Sequence, residues 1–494
     1  MCGILLLHGL SAQKRLPQSL KRLIHRGPDG YKVYNHPGGL TALGFSRLAI
    51  NDESSKGQQP YTHGELVGAT NGEIYNHRAL INRFDLPIKS ECDTEVILPL
   101  FKKLGVKFIY QLDGFYSGVI LDSKTDTAFC FRDTVGKKPL FYGYSNGDFF
   151  ITSELKTFDT IERFEVVPMG VSKIELRSGY LSKVSRNPIQ TSLIRSDENT
   201  LRTILMNAVE KRMPPRAQTL GLFLSGGLDS SIIAYLATQI RDDIVFYTLA
   251  DSNSPDLAYV QLIAGALNIK TLKVISLPSV ATLPSLLKAV IYATESYNPS
   301  VISNGLATYL LAEAAKRDNI KVVLTGEGAD ELFCGYHNFR NGEAWRETRL
   351  NLIADLHFTE LRRLDSCTMA HGVEARCPFL DKSIKTFSDI LTYDDFFDNS
   401  NGEMVNKKIL RNAFGRVLPP RIISRLKTSF DVGSGVRAMI VTYLRKNGKS
   451  ERSQAKKLWK EQFNFDESLD YFHSYPVFDK AIDRRGSRHR SANG

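Results

Sequence analysis

The residues best suited to chemistry fall into two groups, far apart in the chain. One is SGGLDSS, Ser225 to Ser231, which follows the apolar run GLFL and opens the stretch SSIIAYLATQI. The pair Gly226 and Gly227 lets backbone N–H groups approach phosphate oxygens closely. The hydroxyls of Ser225, Ser230 and Ser231 add donors, and a helix starting there favours negative charge. Phosphate would repel Asp229 unless that residue ligates a cation, a role that suits Mg2+. A Walker-type lysine is missing, because no G-x-x-x-x-G-K-[ST] string occurs. The plain alternative is an ordinary strand–turn–helix of small residues. A second loop, LTGEGADELFCGY (324–336), sets Glu327, Asp330 and Glu331 together after another apolar run. Three clustered carboxylates repel one another unless a cation relieves them; beside a nucleotide that cation is Mg2+. An acidic helix start would also suit its own dipole.

The other group begins at Cys2. Small second residues commonly allow removal of Met1, which would leave Cys2 with a free α-amine to act as base for its own thiol. A cysteine at position 2 means little alone. Here HRGPDG (25–30), SRLAI (46–50), NGEIYNH (71–77) and CDTEVIL (92–98) follow it in order.

Positioning these groups requires two kinds of element. Up to about residue 160, short apolar runs at 4–8, 40–50, 66–69, 116–122, 128–132, 140–144 and 149–152 read as strands punctuated by Gly, Asn and Asp. Helices fit 14–25 and 93–104, giving an α+β sandwich. Residues 160–197 are polar and turn-rich and read as a connection. From 200–211, a helix, onward, strands alternate with helices, which implies a parallel sheet covered on both faces. The last hundred residues read as mostly helical.

A chain of 494 residues suggests two or three domains. The net charge of +11 raises the question of an anionic partner, but residues 444–494 hold twelve Lys/Arg against seven Asp/Glu, so a net +5 sits in the tail. That reads as a solvated basic tail, and no specific nucleic acid is expected. Cys2, Cys92, Cys130, Cys334, Cys367 and Cys377 are scattered without a C-x-x-C pair, which speaks against zinc sites and a disulfide framework. No apolar run is long enough to span a membrane. MCGILLLHGL lacks a basic flank and a cleavage site, so it reads as a buried strand rather than a signal peptide. A cytoplasmic location is the default expectation.

MCGI with the motifs behind it resembles the N-terminal-nucleophile glutaminase domain of class II amidotransferases, an αββα sandwich. SGGLDSS resembles the pyrophosphate loop of ATP pyrophosphatases. Together with SPDL (254–257), HGVEARCPFLD (371–381) and RLKTSF (425–430), both halves resemble the glutamine-hydrolysing asparagine synthetase family over residues 1–440. The resemblance implies a glutaminase domain at 1–185 and an ATP-pyrophosphatase domain at 198–440 with a helical C-terminal part; residues 441–494, outside it, read as a basic, partly helical tail. It implies that Cys2 attacks the side-chain amide of glutamine while Asn71 and Gly72 form the oxyanion hole. Arg47, Leu48, Ile50, Asn71, Glu73 and Asp93 would bind glutamine. Leu224, Ser225, Gly226, Gly227, Asp229, Ser230, Leu249, Thr325, Gly326 and Lys427 would bind ATP. Asp229 and Asp330 would hold Mg2+, and Glu327 would serve the adenylation of aspartate, with ammonia carried internally to displace AMP. Many family members carry Arg where this chain has Ser303, so an amidotransferase acting on a different carboxylate is the alternative. Cys92, Ala329 and Cys334 are small-for-small departures. A cyclase that uses an internal amine, or a non-enzymatic scaffold, fits poorly with Cys2, Arg47, Asn71 and Asp93 all present. The reading leaves a homodimer open.

Overall fold

The computed structural model describes residues 2–185, 196–336, 339, 344–399, 404–445 and 450–474. The chain divides into two compact units: Met1–Ile189 with Met369–Val373 and Phe463–Phe465, and Gln190–Thr368 with Glu374–Gln462 and Asp466–Gly494.

The first unit holds two six-stranded antiparallel sheets. One runs in the order Arg163–Val166, Phe141–Ser145, Asp148–Thr152, Gly3–His8, Thr41–Arg47, Gly30–Asn35. The other runs Tyr180–Ser185, Gly170–Glu175, Thr127–Arg132, Gly114–Asp122, Leu66–Ile74, Tyr61–His63. Ile4 and Leu6 join Leu43, Phe45, Val67 and Val119 in a core drawn from both sheets. Leu5 and Leu7 point the other way by strand alternation and are equally buried; helix Ala12–Lys21 packs on that strand. Helix Ile97–Leu104 packs on Leu66–Ile74, burying Leu100 and Phe101 with Ile120 and Phe131. The result is an αββα sandwich.

Several boundaries differ from the sequence reading. The strand expected at 40–50 ends at Arg47, and the Ala49 N–H donates to Asp29 Oδ2 at 2.8 Å instead of to a sheet neighbour. The strand expected at 66–69 continues to Ile74, so Asn71–Glu73 belongs to a strand. The helix expected at 93–104 opens as a 3₁₀ turn, Asp93–Val96. The polar segment after 160 supplies the edge strands Arg163–Val166 and Tyr180–Ser185 and the strand Gly170–Glu175 inside the second edge, while 186–195 lie outside the described residues.

The second unit is built on a five-stranded parallel sheet in the order Leu272–Ile275, Ile244–Leu249, Leu220–Phe223, Val322–Leu324, Glu374–Arg376. Chain order reverses between Leu220–Phe223 and Val322–Leu324. In open parallel sheets ligands bind beyond the carboxyl ends at such a switch point. SGGLDSS and TGEGADE leave those two carboxyl ends.

The described part of the C-terminal segment is not a free tail. Trp459 and Phe472 are buried. Trp459 Nε1 donates to the Glu295 carbonyl at 3.2 Å, and its ring sits 5.5 Å from Tyr297 and 4.9 Å from Phe472. Aromatic residues spaced through a basic stretch here make it part of the core; residues 475–494 lie outside the described residues.

Candidate active sites

In the first unit, Cys2 is fixed at both ends of its backbone. Its N–H donates to Asn71 Oδ1 at 2.9 Å, and its carbonyl accepts from Arg26 Nε at 3.0 Å. The next two amides are held by Ser46 Oγ and Ser153 Oγ, at 3.1 and 3.0 Å. Because the Cys2 N–H needs an acceptor, the Asn71 oxygen must face it. The Asn71 Nδ2 is then left buried without a hydrogen-bond partner. Orphaned buried donors are costly, and one beside a nucleophile is what an oxyanion hole requires. Gly72 follows, with φ of +150°; a Cβ there would lie 2.2 Å from the Phe115 carbonyl, so no other residue fits. Met1 lies outside the described residues.

Arg26 is fully buried and pairs with Glu154 at 2.6 Å. Glu154 also meets His25 at 2.8 Å and Lys156 at 2.9 Å. Burial alone would raise the Glu154 carboxyl, but Lys156, His25 and Arg26 hold it well below the usual range. Burial lowers the His25 pKa.

Around this centre, Arg47 is clamped by the carbonyls of Asp52 and Ser54, the latter at 2.6 Å. Leu48 and Ile50 are buried in the loop behind it. Asn51 Nδ2 donates to Glu73 Oε1 at 2.5 Å and Asp93 Oδ1 at 3.0 Å, bringing the two acids together. Asp93 is oriented further by the Ile74 N–H at 2.6 Å. Burial, with the Asp93 charge, pushes the neighbouring Cys92 thiol up to about 12. A thiol held protonated in this way is a poor nucleophile.

In the second unit, one cavity of about 1260 Å³ opens over the switch point. Leu224, Ser225, Gly227, Asp229 and Ser230 line it from the first loop, and Thr325, Gly326, Glu327 and Asp330 from the second, with Lys427 lining it beside Asp330. The loop is self-braced: Ser225 Oγ and Ser230 Oγ are 3.0 Å apart, and the Gly227 N–H donates to Ser225 Oγ at 3.3 Å. Gly226 adopts φ of +66° and packs on Val260, whose nitrogen would be 2.7 Å from a Cβ; it shapes the turn without lining the cavity. Leu249 is buried at the end of its strand and also does not line the cavity.

The three clustered acids have separate partners. Glu327 pairs with Arg363 at 2.7 Å, which also donates to Thr308 at 2.7 Å. Glu331 accepts from the Tyr336 hydroxyl at 2.5 Å; burial and the Asp330 charge raise its pKa to about 8. Asp330 instead meets Asp229 through Lys407, whose Nζ lies 2.7 Å from both Asp229 oxygens and 2.6 Å from Asp330 Oδ1. Lys427 also pairs with Asp330. Burial opposes the charged form of Asp330, but Lys407 and Lys427 hold it well below the carboxylate range. Two hard carboxylates gathered round a cation suit Mg2+, which binds through one or two carboxylates plus phosphates. Among the described residues no group of three or more His, Cys, Asp or Glu forms a metal cluster. Sequence reasoning assigned no role to Arg26, Asn51, Arg363 or Lys407. Arg26 lay within a quoted motif, whereas nothing in the spacing marks Lys407.

A buried thiol at position 2 beside an orphaned amide in an αββα sandwich, and a glycine–serine turn at the switch point of a parallel sheet, describe a two-part protein that joins a hydrolase-type sandwich to a nucleotide-binding type of sheet. The comparisons agree. A family model described as glutamine amidotransferase domain matches residues 1–201, and one described as asparagine synthase matches 200–355 and 341–471. A probable asparagine synthetase [glutamine-hydrolyzing] from Acanthamoeba polyphaga mimivirus is 30% identical over 87% of this chain and 85% of its own length. The nodule asparagine synthetase [glutamine-hydrolyzing] of Pisum sativum is 34% identical over 88% of this chain and 78% of its own. That of Triphysaria versicolor is 33% identical, with the same coverage. The chain belongs to the glutamine-hydrolysing asparagine synthetase family.

Proposed function

We propose that the chain makes asparagine from aspartate, glutamine and ATP, with each half-reaction assigned to the residues above. The Cys2 thiol loses its proton to the α-amine freed by Met1 removal and attacks the glutamine side-chain carbonyl. Asn71 Nδ2 and the Gly72 N–H receive the developing oxyanion. Ammonia leaves, and water hydrolyses the thioester to glutamate. Arg47 takes the α-carboxylate of glutamine. Glu73 and Asp93, already joined by Asn51, take its ammonium.

In the second unit, SGGLDSS cradles ATP phosphates. The β-carboxylate of aspartate attacks the α-phosphorus, pyrophosphate leaves, and ammonia displaces AMP from the acyl adenylate. Glu327, steadied by Arg363, faces the reacting acid, and Lys427 faces the phosphates. Asp229 and Asp330 would hold Mg2+, which neutralises phosphate charge when bound. The observation that carries this reading is the orphaned Asn71 Nδ2 beside Cys2, in the same chain as a nucleotide turn.

No helix among the described residues is long and apolar enough to cross a membrane. The free cysteines support our further assignment to the reducing cytoplasm. The direct test is aspartate-dependent ATP–pyrophosphate exchange by the purified chain: stimulation is expected, and its absence would remove aspartate as the acceptor.

A further inference from the structure

Seven carboxylates line the second-unit cavity, and six of them have cationic partners. Asp229 and Asp330 share Lys407, Glu327 and Glu360 share Arg363, Asp256 pairs with Arg425, and Glu451 pairs with Arg437 at 2.7 Å. The seventh, Asp431, has no ion-pair partner among the described residues, although it is only 6% exposed. Its Oδ2 accepts from the buried Ser303 hydroxyl at 2.8 Å, and its N–H donates to Asn304 Oδ1 at 3.3 Å. The side chain is therefore oriented but not neutralised.

A largely buried carboxylate without a counter-ion is costly. In a cavity that admits an anionic acceptor it would repel that acceptor, unless the acceptor brings its own cation. An α-amino acid does so. We propose that Asp431, aimed by Ser303, receives the ammonium group of the acceptor and so selects amino-acid carboxylates over des-amino acids. This rests on the reading of the cavity as the adenylation site.

The test is ATP–pyrophosphate exchange driven by aspartate, succinate or N-acetylaspartate, in wild type, Asp431→Asn and Ser303→Ala. Wild type is expected to accept aspartate and to discriminate strongly against the two analogues that lack an ammonium. Asp431→Asn should raise the KM for aspartate roughly 10–100-fold, the size of a lost charge-assisted hydrogen bond. The KM for ATP should hold, and discrimination against succinate should shrink. Ser303→Ala, a smaller change less able to disturb folding, should move the KM for aspartate in the same direction by less. Exchange driven equally well by succinate, or an unchanged aspartate KM in Asp431→Asn, would overturn the subsite while leaving the asparagine reading intact. No exchange with aspartate in wild type would overturn both.

Discussion

Lys407 Nζ sits 2.7 Å from both carboxylate oxygens of Asp229, residues 178 positions apart in sequence. The same ammonium reaches Asp330 at 2.6 Å. Removing it leaves Asp229 without its ammonium beside Asp330, which keeps only Lys427. Lys407→Met should cost about 3–5 kcal/mol of stability, as expected when one partner of a buried pair is removed. Added Mg2+ or Mn2+ should raise the melting temperature of this variant more than that of wild type. Thermal unfolding with and without the ion checks this, and an equal shift in both proteins would count against the paired carboxylates as the cation site.

The orphaned Asn71 amide predicts a selective kinetic defect. Asn71→Ala removes one oxyanion donor, and kcat for glutamine hydrolysis should fall roughly 10²–10³-fold. Ammonia-dependent asparagine formation should be preserved. Steady-state assays with each nitrogen source make the comparison.

Glu154 contributes to the acid limb of stability through Lys156, His25 and Arg26, the last of which also holds the Cys2 carbonyl. Its pKa is depressed in the fold, so its contribution is full above the ordinary value near 4.3 and is lost as pH falls towards the lower native value. Glu154→Gln should destabilise the protein by about 3–5 kcal/mol at pH 7. It should also flatten the loss of stability below about pH 4.3. Denaturant unfolding across pH checks both.

Cys92 is the cysteine next to Asp93, and burial with the Asp93 charge pushes its thiol up to about 12. A glutamine-analogue electrophile should therefore add once, at Cys2 after Met1 removal. Intact-mass and peptide mass spectrometry reads the site; modification at Cys92 instead would contradict the assignment of the nucleophile.

Much of this was legible in the sequence because the chemistry is local. SGGLDSS, TGEGADE and NGE each carry their residue types within a few positions, and the central strands are continuous apolar runs. The edge strands escaped because they are polar: Tyr180–Ser185 is mostly exposed, and Gly30–Asn35 is flanked by turns. Each is held by a short hairpin to a neighbour, Gly170–Glu175 and Thr41–Arg47, so its strand character comes from that pairing and not from an apolar pattern of its own. Lys407 escaped for a different reason: its partners are 77 and 178 residues away, which no short window contains, and its own surroundings, VNKKIL, look like a helix start. Asp93–Val96 read as the first turn of a helix, yet forms a 3₁₀ turn in which Asp93 accepts from Ile74 and Asn51.

The central claim is that nitrogen released at Cys2 ends in an amide formed through an acyl adenylate. The most direct measurement supplies amide-15N glutamine, ATP, Mg2+ and aspartate to wild type and Cys2→Ala, and follows 15N in asparagine together with AMP and pyrophosphate. Wild type should yield labelled asparagine with AMP and pyrophosphate in equal amounts. Cys2→Ala should yield asparagine only when ammonia is added. Labelled product from Cys2→Ala, or product formed with ADP and phosphate instead of AMP and pyrophosphate, would contradict it.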